Sequence, residues 1–134
     1  MNEIIIHTDN QEDLIHFLLN NNFEVEDLGE DILCVSREDE LPVFLKVDQD
    51  TLYFEVDLGN LNEFEVENLQ FKLLDLNTEI LRVSFGINNT NPEDPRLVLL
   101  ESRQTRNIND HELLGVFDAL ELAVDRAESL VSGE

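Results

Sequence analysis

The sequence predicts an α+β fold: a twisted antiparallel sheet of about five to six strands, with N- and C-terminal helices packed on one face and a middle helix. Three observations lead there. Residues 43–58 alternate apolar and polar side chains about a short polar tip, the pattern of a half-buried hairpin. Residues 111–131 place apolar side chains at helical spacing. Leu, Ile, Val and Phe make up 50 of the 134 residues, so a core can form although Asp and Glu number 31 against 8 Lys and Arg. A chain of this length suits one domain, spanning 1–134, that needs neither metal nor disulfide to hold it.

The elements follow in order. Thr8-Asp9-Asn10-Gln11 carries side chains that can cap free N–H groups, and Leu14, Ile15, Leu18 and Leu19 continue as a helical stripe up to Asn20-Asn21-Asn22. Phe23-Glu24-Val25-Glu26 and Ile32-Leu33-Cys34-Val35 read as two strands separated by turn chemistry around Gly29, either a hairpin or one bent strand. The second of them is apolar on both faces and therefore internal.

In the hairpin, Gln49-Asp50 at the tip sets Val47 opposite Leu52 and Lys46 opposite Tyr53. Val43, Leu45, Val47, Leu52, Phe54, Val56 and Leu58 then share the core side. Phe44, Lys46, Tyr53, Glu55 and Asp57 share the other. A middle helix is expected over residues 63–76, with Val66, Leu69, Leu73 and Leu76 on one stripe and Phe64, Phe71 and Leu74 opposite. A helix apolar on both sides wants two neighbours: its own sheet and either a covering loop or, the reading favoured here, a second subunit. Phe64, Phe71 and Leu74 are the candidate dimer contacts.

Residues 81–87 alternate as a strand, residues 88–95 form a polar turn with two prolines, and residues 96–103 return as a strand. After Asn107-Ile108-Asn109-Asp110 the last helix runs over residues 111–131. Its core stripe is Leu113, Val116, Phe117, Leu120, Ala123, Val124, Ala127 and Val131, with Asp118, Glu121, Asp125 and Glu128 on the far face. The order is α-β-β-β-β-α-β-β-α.

Chemistry is sparse by comparison. Asp48-Gln49-Asp50 opens like a calcium loop but has Tyr53 where the turn needs glycine and Gly59 where the closing Glu belongs. His7, His16 and His111 show no paired spacing, and Cys34 is the lone cysteine, inside an apolar run. No nucleophile elbow or glycine-rich phosphate loop occurs. The expectation is a non-enzymatic protein with no cofactor and no metal.

A formal charge of −23 repels phosphate backbones and anionic headgroups, so neither nucleic acid nor membrane insertion is expected. It favours a protein partner with a basic or extended segment, and it also serves solubility. Residues 81–106 depart from the rest, with Arg82, Arg96, Arg103 and Arg106 against three acids. That strip is read either as internal ion pairing or as an orienting surface. The first ten residues lack a basic segment ahead of an apolar run, which reads as cytoplasmic.

The element order, the acidity and the doubly apolar middle helix resemble the type III secretion chaperone-like superfamily. Glu40-Leu41-Pro42-Val43-Phe44-Leu45 and residues 117–130 are similar to the uncharacterised YjfI-like family of bacterial proteins. The first resemblance implies a small acidic cytoplasmic dimer, joined through the middle helix. It also implies binding of an extended partner segment against apolar patches and sheet surface; no catalytic motif is carried over. Two functions stand in order. The first is an acidic chaperone or adaptor that docks an extended segment, with Phe44 and Tyr53 as candidate partner contacts. The second is a regulatory protein that occupies a basic surface of another protein, up to nucleic-acid mimicry.

Overall fold

The computed structural model describes residues 10–132. Asn10 begins helix α1 (Gln11–Asn20), its side-chain oxygen accepting from the N–H groups of Glu12 and Asp13. Thr8 and Asp9, the other half of the expected cap, lie outside the described residues. Strands β1 (Glu24–Gly29) and β2 (Ile32–Ser36) form a hairpin, which settles the choice left by the sequence. Gly29 pairs with Ile32, so the loop is Glu30-Asp31, and both have positive φ, 55° and 64°. That geometry matches the right-handed twist of the flanking strands.

Strands β3 (Val43–Asp48) and β4 (Thr51–Asn60) take the expected register, Val47 opposite Leu52 and Lys46 opposite Tyr53. Val43, Leu45, Leu52, Phe54 and Val56 are buried on one side, while Tyr53 and Lys46 are exposed on the other. A 3-10 turn (Leu61–Glu63) leads to helix α2 (Leu69–Asn77).

The middle helix is shorter than its periodicity predicted. Asn68 sits in the left-handed region at φ 56°, which breaks a helix, and asparagine tolerates that conformation better than most residues. Phe64 therefore belongs to the approach to the helix, where it is half-buried against the core. A Cβ at Gly59 (φ 122°) would lie 3.5 Å from the Phe64 ring, so the ring rests on the end of β4.

Strand β5 (Ser84–Asn88) is also shorter than the alternation over 81–87 implied, and β6 (Arg96–Gln104) and α3 (Asp110–Ser132) complete the chain. The six strands lie in the order β1-β2-β3-β4-β6-β5, each antiparallel to its neighbours. Because α2 carries the chain past one position, β6 inserts between β4 and β5. The helices supply Leu14 and Leu18, then Leu69, Leu73 and Leu76, then Leu113, Val116, Phe117 and Leu120 to one core with the inner side of the sheet. At its centre the Phe117 ring meets Phe23 at 4.6 Å and the edge of Phe54 at 5.8 Å between centroids.

Candidate partner-binding surfaces

The side of the sheet away from the helices is open among the described residues. Cross-strand register fixes its layout: Cys34, Phe44, Glu55, Leu100 and Ser84 form one row, and Ile32, Lys46, Tyr53 and Ser102 the next. All of these except Cys34 line a groove of about 990 Å³ whose further lining includes Arg82, Arg103, Gln104, Arg106 and Glu112. Phe44 is half-buried, and Tyr53 and Leu100 are exposed. Leu100 leans over β5 because Gly86 leaves room; a Cβ there would stand 2.8 Å from its Cδ1. The two candidate contacts, Phe44 and Tyr53, thus fall in neighbouring rows of the same concave surface.

The groove also has a backbone edge that is unpaired among the described residues. Strand β5 begins at Ser84, opposite Leu100, so, among the described residues, 101–104 of β6 have a strand only on the β4 side. An edge of this kind presents backbone donors and acceptors to an added strand.

Its charge differs from that of the molecule. Arg103 donates to Glu101 and Glu112, and Arg96, away from the groove, holds Asp57 and Asp94, so internal pairing accounts for these two arginines of the 81–106 strip. Burial alone would pull the Arg103 guanidinium down, but its hydrogen bonds to the two carboxylates outweigh that and raise it. Lys46, Arg82 and Arg106 make no ion pair among the described residues, and all three line the groove. Glu55 sits on its floor. Burial first, then the neighbouring Asp57, push its carboxyl above the ordinary range, against a lowering hydrogen bond from Asn88.

A second apolar surface lies on α2. Phe71 and Leu74 are 74% and 69% exposed, and Leu81 just beyond the helix is 76% exposed. Of the three proposed dimer contacts, Phe71 and Leu74 share this open face, whereas Phe64 is turned to the core. Cys34 is half-buried, its thiol raised by burial and by Glu26.

A model of the type III secretion chaperone family CesT_Tir_1 matches residues 7–132. The chain belongs to that family. Two solved structures share its fold. YbjN from E. coli superposes with a TM-score of 0.70 at 15% identity, covering 92% of this chain and 95% of that one. A chain of the heterodimeric ExoU–SpcU complex from the type III secretion system of Pseudomonas aeruginosa gives 0.69 at 16% identity, with 89% and 98% covered. No curated protein sequence matches. The expected fold class stands: a six-stranded antiparallel sheet with three helices. Among the described residues no helix is long and apolar enough to cross a membrane.

Sequence reasoning missed Ile32 and Leu100 as groove residues. A signal for Leu100 was present, because Leu97-Val98-Leu99-Leu100 runs without alternation and a central strand with such a run is apolar on both faces. The arginine strip was visible as a charge imbalance. Its meeting with Lys46 and Tyr53 was not, since that depends on β6 lying beside β4.

Proposed function

We propose that this member of the secretion-chaperone family is a non-enzymatic cytoplasmic binding protein that holds an extended segment of a protein partner on its outer sheet face. The observation that carries the reading is the open groove, in which Phe44, Tyr53 and Leu100 supply apolar contact beside an edge of β6 that is free among the described residues. An extended chain there gains main-chain hydrogen bonds from the edge and seats alternate side chains on the floor. The working form is a homodimer joined through Phe71 and Leu74, whose exposure exceeds what a helix with one apolar face needs. Cross-linking with mass spectrometry on complexes isolated from the native cell tests it. Partner cross-links should map to β3, β4 and β6 and disappear in a folded Tyr53→Asp variant. Cross-links confined to α3 would overturn it.

A second reading draws on the far face of α3. Asp118, Asp125 and Glu128 are exposed there, and Glu121 is raised by burial and then by Glu40 and Asp125, the mark of crowded negative charge. Such a face fits a basic surface of another protein, and binding through it would collapse with added salt.

A further inference from the structure

We propose that the segment taken by the groove is acidic: an extended polypeptide that turns both apolar side chains and Asp or Glu toward the sheet face, its carboxylates meeting Lys46, Arg82 and Arg106. The inference rests on the reading of the groove as the partner site and names the partner's chemistry.

The argument is one of local charge against bulk charge. The molecule carries −23, and four of its eight cations are tied to carboxylates of the fold. Of the four that make no ion pair among the described residues, Lys72 alone is not in the groove's lining. In so acidic a chain, three cations that line one groove and make no ion pair among the described residues mark a place where negative charge is to arrive. Arg103 is shared by Glu101 and Glu112 at the helix-side end of the lining, and Glu55 sits on the floor, so the lining's four cations still outnumber its three carboxylates. At physiological salt the field of distant carboxylates is screened over about 8 Å, so the groove's own cations govern an incoming carboxylate.

Geometry selects the polymer. Lys46 and Ser102 lie two strands apart on one row, about 10 Å across the floor at ordinary strand spacing. Arg82 stands beyond β6, just ahead of the start of β5. A segment lying along this face points every second side chain at the sheet, and that set can combine apolar side chains for Tyr53 and Leu100 with carboxylates for the cations around them. A nucleic acid strand fits less well. It carries a charge at every nucleotide, and those beyond the groove would face the acidic body.

Panning a random-peptide display library on the full chain tests the proposal. The enriched peptides should be rich in Asp and Glu and place them two residues from apolar side chains, so that both share one face of the extended chain. A synthetic peptide of the enriched sequence should bind about tenfold more weakly to the Arg82→Glu/Arg106→Glu variant, a loss of about 1.4 kcal/mol. It should also weaken with added salt, and bind more tightly to Glu55→Gln. Arg82→Gln/Arg106→Gln, milder for folding, should fall between wild type and the charge reversal. Enrichment of neutral or basic peptides that need Tyr53 but ignore Arg82 and Arg106 would overturn the acidic preference and leave the groove as a binding site. Peptides unaffected by Tyr53→Asp would overturn both. Tighter binding of an oligothymidylate than of the selected peptide would make the groove a nucleic-acid site and likewise overturn the proposal.

Discussion

Arg103 and Glu101, two residues apart on β6, share an ion pair with 2.7 Å between Nε and Oε1, and Glu101 is the buried charged residue of the described core. The pair lies on the helix side of the sheet, Glu101 opposite Phe54 of β4. A second bond from Arg103 to Glu112, 3.0 Å long, reaches the first turn of α3. One guanidinium thus ties the end of the sheet to the start of the longest helix.

The pair should matter most when broken from one side. Arg103→Met leaves Glu101 buried without its cation, and a loss of about 3–5 kcal/mol is expected in urea unfolding. Glu101→Leu with Arg103→Met should recover most of it, because an apolar pair avoids the desolvation of both charges. An equal loss in the double variant would show that the pair itself stabilises the fold.

The β1–β2 turn holds Glu30 and Asp31 at positive φ, where a Cβ is unfavourable. Asp31→Gly should stabilise the protein by roughly 0.5–1 kcal/mol, the relieved strain exceeding the entropy that glycine adds to the unfolded chain. A rise in the thermal midpoint with an unchanged circular dichroism spectrum checks this.

The exposed face of α2 gives a prediction about assembly. Sedimentation equilibrium should return a dimer for the wild-type chain and a folded monomer for Phe71→Asp, since the buried carboxylate would lack a partner. Phe64→Ala should behave differently, lowering the thermal midpoint through lost packing on Gly59 while leaving association in place. A monomeric wild type removes the dimer from the proposal.

Glu55 gives a pH signature. Its carboxyl is raised in the folded protein, so the fold binds the proton more readily than the unfolded chain does. Its contribution therefore favours the fold at low pH. It is lost as pH climbs from the ordinary glutamate range through the raised folded value. Glu55→Gln should be more stable than wild type at pH 7, with the difference closing below the ordinary glutamate range; thermal melts across pH read it directly. A constant difference at every pH would point to packing instead of charge.

Much of the fold was legible because it is written in short-range periodicity. The β3–β4 register follows from the tip and the alternation on either side of it, and the α3 stripe from apolar residues three and four apart. Phe44 and Tyr53 could be assigned to the outer face on the same ground. The middle helix misled because Phe64 and Val66 keep helical spacing with the stripe beyond Asn68. Periodicity does not register a single left-handed residue.

The sequence by itself determined the type and order of the main elements, the apolar faces of the β3–β4 hairpin and of α3, and that the chain is strongly acidic. Only the tertiary structure decided that β6 lies between β4 and β5, bringing Lys46, Tyr53, Leu100, Arg82 and Arg106 around one groove. The division has a physical cause. Side-chain alternation and helical spacing act between near neighbours in the chain. Strand order is chosen by which distant faces bury the most apolar surface together, and no local pattern records that choice.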